Sequence, residues 1–195
     1  MHNKIPKYFT FISSFEKEKI YKLSSKVGII YRNYKYKINS KQIIEIKNLC
    51  KKLGKKIYLA NNVKLAIKNN LDGVYIPSFN KNLNYKVLQK RKNFLVMGSA
   101  HKIDEIKIKE KQGIELLFIS PVFNNNKYKK SLGIIKFNLL SKIAKTKIVA
   151  LGGVNKRNIN LLKMTNINGI SGIRFIEEFS NEKQLYRKKN SDFTQ

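Results

Sequence analysis

The sequence predicts an α/β fold, a closed (β/α)8 TIM barrel. Three observations carry that prediction. Eight short apolar runs alternate with stretches of helical periodicity. Most of the runs are continuously apolar, as expected for strands of a parallel sheet buried on both faces. Strands that alternate with helices are joined by right-handed βαβ crossovers. Such crossovers also build an open doubly wound sheet, but the count of eight favours closure. The 195 residues lie near the lower end for this fold, ~200 residues, so most loops must be short.

The predicted strands, in order, are Phe9–Ile12, Val27–Tyr31, Lys56–Leu59, Gly73–Ile76, Phe94–Met97, Leu116–Ile119, Lys147–Ala150 and Gly169–Gly172. Apolar residues at helical spacing predict helices over Gln42–Lys52, Val63–Lys68, Ile103–Lys111, Ile135–Ala144 and Ile159–Met164. Weaker patterns mark Glu16–Leu23 and Tyr85–Lys90. Gly54 and Gly113 stand where helix C-caps belong. The stretch from Ser120 to Gly133 is the one long loop, and a long loop after a barrel strand is expected to serve the site. Residues 1–187 are expected to form one barrel domain and 188–195 a disordered tail.

Composition narrows the function classes. No apolar run approaches the ~18 residues of a membrane span, and no signal-peptide core follows the N-terminus, so a cytoplasmic protein without a membrane partner is expected. A single cysteine, Cys50, excludes an internal disulfide framework and reads as a small core residue. The net charge is +29, with lysine spread over nearly every predicted helix. Abundant Asn, Ile and Tyr beside it suggest a bias toward A/T-rich codons acting on solvated faces. No heptad-linked basic region, zinc-finger spacing or aromatic RNA-binding strand is present, so no specific nucleic-acid partner is expected. The charge does favour small anionic, phosphorylated substrates. No oligomeric state follows from the sequence.

The strand ends carry the candidate chemistry. Ile148–Ala150 runs through Leu151 into Gly152-Gly153-Val154-Asn155, where the glycines let the backbone turn sharply and approach a ligand. Asn155 is suited to cap a helix starting at Lys156. Gly169-Ile170-Ser171-Gly172-Ile173-Arg174 forms a second junction of this type. A glycine pair alone also fits a plain tight turn. Two such ends in succession, late in the chain, are where (β/α)8 barrels hold phosphate. The other strand ends offer Arg32 and Lys35, Asn61 and Asn62, Asn80, Ser99 and His101, and a lysine-rich loop with Lys127 and Lys129. Asp72 reads as a turn-fixing residue, and Asp104 and Glu105 as a helix-start pattern.

This series resembles the thiamine phosphate synthase family and its thiazole tautomerase relatives, from about Val27 to Ile176. The matching pieces are Asp72-Gly73-Val74-Tyr75, Gly98-Ser99-Ala100-His101, Ser120-Pro121-Val122-Phe123 and Ala150-Leu151-Gly152-Gly153-Val154. The resemblance implies that an aminopyrimidine methyl diphosphate is joined to a thiazole phosphate, giving thiamine phosphate and pyrophosphate. It implies catalytic roles for Arg32, Ser99 and Lys127, and diphosphate contacts from Arg32, Lys35, Asn61, Ser99 and Lys129. It places the thiazole's phosphate on Gly152, Gly153, Ser171, Gly172 and Ile173. It further implies Mg²⁺, held in the family by two aspartates that stand here as Asn62 and Asn80. Asparagine ligates Mg²⁺ without charge, whereas Mg²⁺ favours carboxylates. Restoring acids at both positions is expected to raise Mg²⁺ dependence, and Gly153→Val to block the thiazole phosphate with the fold kept. A binding or regulatory barrel of the same family, and another phosphate-handling barrel enzyme, are the alternatives.

Overall fold

The structure, a computed structural model, describes residues 5–36, 38–85, 88, 90–124 and 130–181. Eight parallel strands close into one barrel in chain order, β1-β2-β3-β4-β5-β6-β7-β8. They are β1 (Tyr8–Ile12), β2 (Val27–Tyr31), β3 (Lys56–Ala60), β4 (Gly73–Ile76), β5 (Leu95–Ala100), β6 (Leu116–Ile119), β7 (Lys147–Leu151) and β8 (Gly169–Ser171). Closure is made by β1 against β8, with Phe9 beside Ser171. Helices α1 (Lys17–Lys22), α2 (Ser40–Lys52), α3 (Val63–Lys68), α4 (Ile103–Lys111) and α5 (Gly133–Ile143) alternate with the strands. The predicted barrel, its eight strands and these five helices are therefore present, with no end shifted by more than three residues.

Three details differ. The Ile159–Met164 segment is a 3₁₀ helix rather than an α-helix. Asn155 does not start a helix at Lys156. Its Oδ1 accepts from the N–H of Arg157 (2.9 Å) and of Asn158 (3.2 Å), which makes a turn that delays the helical segment. Of the predicted Tyr85–Lys90 helix, residues 86, 87 and 89 lie outside the described residues, and Leu88 and Lys90 are 3₁₀. Residues 174–181 are helical. The tail expected at 188–195 lies outside the described residues.

Strand alternation divides the apolar residues into two cores. Phe9, Phe11, Ile30, Tyr58, Tyr75, Met97, Phe118 and Val149 fill the barrel interior. Their strand neighbours, among them Ile29, Leu59, Val74, Val96, Leu117 and Ile148, pack outward against the helices. The interior is unusually aromatic. Phe118 meets Phe9, Phe11 and Tyr75 edge-on, at centroid distances of 5.3, 6.2 and 5.4 Å. Each such pair contributes about 0.5–1.5 kcal/mol beyond burial. Gly28 makes room for this layer, because a Cβ there would lie 2.8 Å from the Phe9 ring and 3.0 Å from that of Tyr58. Cys50 sits fully buried in the outer core, as expected, and burial pushes its thiol up to about 12.

The N-terminal rim is tied by a recurring device. The residue just before one strand accepts the N–H of the second residue of the strand before it. Asp72 takes Ile57 N–H (2.9 Å), Glu115 takes Val96 N–H (3.1 Å) and Asn168 takes Ile148 N–H (2.9 Å). Asp72 also pairs with Lys56 at 2.8 Å. Asp72 thus has the structural role its position suggested, at the end of the barrel where structure rather than catalysis is served. The opposite rim is left for chemistry.

Candidate active site

At the C-terminal mouth, Arg32 follows β2 and lies half-buried, its guanidinium 4.4 Å from the centre of the Phe11 ring. A cation over an aromatic face is held by the ring quadrupole, here at the top of the interior aromatic layer. Among the described residues it forms no ion pair with a carboxylate. Tyr34 stands beside it. Burial pushes the Tyr34 phenol up, and the Arg32 charge opposes that shift. The Tyr34 ring meets Phe79, from the loop after β4, edge-on at 5.7 Å. Lys35 is exposed, on a turn in which Asn33 Oδ1 accepts its N–H at 3.0 Å.

After β3, Asn61 and Asn62 divide two tasks. Asn61 takes a left-handed conformation, φ 58°, and its Oδ1 accepts from Asn80 Nδ2 at 2.7 Å. Asn62 is the N-cap of α3, its Oδ1 accepting from Leu65 N–H at 3.0 Å. Asn80 also donates to Tyr85 Oη at 3.1 Å and accepts from Asn82 N–H at 3.0 Å. The fold therefore joins Asn80 to Asn61 and not to Asn62, the other residue of the expected metal pair. The oxygen of Asn62 is committed to its helix, and that of Asn80 to its own loop. Among the described residues no three His, Cys, Asp or Glu side chains group as ligands. This donor set does not fit a Mg²⁺ ion held by the protein.

Ser99 lies on β5 in register with inward-facing Phe118, so its hydroxyl points into the upper barrel. Among the described residues no hydrogen bond engages that hydroxyl. His101 is turned to structure. Its Nδ1 lies 2.7 Å from the Ser120 carbonyl, and its N–H donates to Glu105 at 2.7 Å, linking the ends of β5 and β6 to the start of α4.

At the glycine junctions the predicted donors separate. Gly152 and Gly153 both have left-handed φ, 95° and 73°. Among the described residues neither amide N–H has an acceptor. Ser171 and Gly172 are committed elsewhere. The Ser171 hydroxyl is buried and donates to the Phe9 carbonyl at 3.0 Å, and Gly172 N–H donates to the same oxygen at 3.2 Å. Both close the barrel. Ile173, 43% exposed, leads into the helix at 174–181. Lys127 and Lys129 lie outside the described residues.

Sequence reasoning missed Lys109 and Gln112. Lysine was read as solvated, yet Lys109 has no exposed surface and its Nζ donates to the carbonyls of Pro77 and Asn80, both at 2.7 Å. The available signal was its place on the inward face of α4, three residues after buried Ile106.

Fold and mouth together define a (β/α)8-barrel protein whose C-terminal end presents a cation and unengaged N–H donors. The chain belongs to the thiamine monophosphate synthase (TMP-TENI) family, whose sequence profile matches residues 22–176. It is 28% identical over 145 residues to the thiamine-phosphate synthase of Methanococcus maripaludis, covering 71% of this chain and 68% of that protein. It is 30% identical over 154 residues to that of Flavobacterium johnsoniae, covering 75% and 73%. The thiamine phosphate pyrophosphorylase of Pyrococcus furiosus superposes with a TM-score of 0.69 at 18% identity, over 93% of this chain and 95% of that one. At that identity the superposition speaks for the fold.

Proposed function

We propose that this chain is a thiamine-phosphate synthase. It transfers an aminopyrimidine methyl group from its diphosphate to the ring nitrogen of a thiazole phosphate, forming thiamine phosphate and pyrophosphate. The observation that carries the reading is the mouth itself: in a chain of this family, Arg32, with no carboxylate partner among the described residues, stands at the same end of the barrel as the amides of Gly152 and Gly153, which no described residue engages.

The C–O bond between methylene and diphosphate breaks, and its electron pair leaves with pyrophosphate. The thiazole nitrogen then supplies the pair for the new C–N bond. Developing charge on the leaving group is what the protein must stabilise. Arg32, preset over Phe11, grips the diphosphate bidentately. The Ser99 hydroxyl donates to it, and Lys35, Lys127 and Lys129 add charge from loops. Gly152, Gly153 and Ile173 offer N–H groups to the thiazole's phosphate. Ser171 and Gly172 serve this site by holding β8 in place rather than by donating. The asparagines do not fit a protein-held metal, so the leaving-group charge would fall to these cations and to whatever cation the diphosphate itself carries.

No helix among the described residues is long and apolar enough to cross a membrane. A cytoplasmic setting and small phosphorylated partners are part of the proposal. The test is thiamine phosphate formation by purified protein, with Mg²⁺ and with EDTA. Product under both conditions is expected where cationic side chains carry the leaving-group charge. Product only with Mg²⁺ assigns that charge to metal on the substrate. A folded protein that binds thiazole phosphate yet forms no product overturns the transferase reading.

A further inference from the structure

The loop after β4 is held from below by a side chain of α4 and by that of its C-cap residue. Lys109 rises from α4 with its stem packed under β5, where a Cβ on Gly98 would approach Lys109 Cδ to 3.0 Å. Its ammonium has three N–H groups and three acceptors: Pro77 O at 2.7 Å, Asn80 O at 2.7 Å and Gln112 Oε1 at 2.9 Å. Gln112, three residues along the same face, donates to Asn80 O at 2.9 Å and Asn82 O at 2.8 Å. Between them they take three carbonyls of one short loop. Neither residue has exposed surface.

Packing alone does not call for this pair. Apolar side chains of the same volume would fill the space without the desolvation cost of a buried ammonium. No carboxylate lies in ion-pair contact with Lys109 among the described residues. What the pair adds is direction. A carbonyl gripped by two donors cannot rotate freely, and Asn80 is gripped twice through its own backbone oxygen. Its side chain in turn holds Asn61 at 2.7 Å and Tyr85 at 3.1 Å. The chain of contacts runs from the helix layer to the mouth without a break.

We propose that Lys109, with Gln112, is a positioning residue that, through Asn80, sets Asn61 for the diphosphate of the pyrimidine substrate. This rests on the transferase reading above. Neither side chain touches substrate. Both act through the loop, and their loss is felt at the diphosphate and not at the phosphate site formed by Gly152 and Gly153.

The experiment compares wild type, Lys109→Met and Gln112→Met by steady-state kinetics, with the KM of each substrate measured separately and folding checked by circular dichroism. The expected result is a KM for the pyrimidine diphosphate raised about tenfold, with the KM for thiazole phosphate within twofold of wild type. If Lys109→Met does not fold, Gln112→Met carries the same expectation, because it removes two of the loop's four hydrogen bonds to this pair and leaves the ammonium its two loop carbonyls. Both KM values unchanged in a folded variant, or both raised together, overturns the positioning role while leaving the enzyme's function standing. A wild type that forms no product overturns the reading on which the proposal rests.

Discussion

Gly153→Ala is expected to destabilise the barrel by about 2–5 kcal/mol. Two costs add. A residue with a Cβ in the left-handed region, here φ 73°, costs about 1–2 kcal/mol. The methyl group would also sit 2.1 Å from the carbonyl oxygen of Phe123 and 2.5 Å from its carbon. Backbone cannot swing aside as a flexible side chain does. The β6 loop must therefore move, at the ~1–3 kcal/mol typical of overpacking. Phe123 N–H bonds the carbonyl of Gly152 at 3.0 Å, so a shift there loosens the junction it is meant to make. For a chain of this size each kcal/mol lowers Tm by about 2–4 °C, which gives a drop of roughly 4–20 °C. Gly54→Ala is the control. Its φ is 62°, and nothing lies within 4 Å of the added Cβ, so it carries the conformational cost alone, about 1–2 kcal/mol. The assay is thermal unfolding of both variants beside wild type. Equal drops would refute the argument, because the close approach to Phe123 would then contribute nothing. Valine at this position, expected from sequence to block a ligand and spare the fold, meets the same carbonyl first and is a poor probe of phosphate binding.

Four further outcomes are expected. Arg32→Ala should raise the KM for the pyrimidine diphosphate and lower Tm by only a few degrees, since it loses the contact with Phe11, about 0.5–1 kcal/mol, and no ion pair among the described residues; unchanged kinetics would remove it from the site. Cys50 is fully buried with its thiol pushed up to about 12, so a thiol reagent at pH 8 should label it only at the rate of unfolding, and immediate labelling would contradict the packing. Burial pulls the Lys109 ammonium down from 10.5 to about 8, with Glu105 opposing, so the unfolded chain binds more protons between those values. The burial cost is present below pH 8 and is relieved as pH rises toward 10.5, so stability relative to Lys109→Met should rise with pH across that window; a flat difference in denaturant melts would contradict it. Asn62→Asp should leave Mg²⁺ dependence unchanged, because its oxygen caps α3 and aspartate caps equally well; a gain in dependence would show that oxygen reaching a metal.

The barrel was legible because its strands are buried on both faces. Continuous runs such as Leu116–Ile119 have no polar side to misplace, and their spacing alone gave the order. The strand ends shifted where the last residues are small or polar. β5 runs on to Ala100 through Gly98 and Ser99, which no apolar count would include. Periodicity also does not separate a 3₁₀ helix from an α-helix over six residues, so Ile159–Met164 kept its place and lost its type.

The site was legible where a residue type has one use and obscure where it has several. A glycine pair after a buried strand has few explanations, and Gly152 and Gly153 do keep their amides unengaged among the described residues. Asparagine has many. Asn61 and Asn62 are adjacent and chemically identical, yet one faces the mouth and the other caps a helix, because the left-handed φ of Asn61 turns the chain between them. A hydroxyl is equally ambiguous: Ser99 and Ser171 both face inward near the mouth, but only Ser171 has a carbonyl of β1 within reach. Lysine was obscured by abundance. Among 41 basic residues Lys109 is set apart by its place on the inward face of α4, three residues after Ile106, and by its register opposite Gly98. That register explains the glycine as well. A larger residue at 98 would push the lysine stem out from under β5 and take the ammonium away from the Asn80 carbonyl. Gly98 and Lys109 therefore act as one unit, and a substitution at either should be read by its effect on the loop between Pro77 and Asn82.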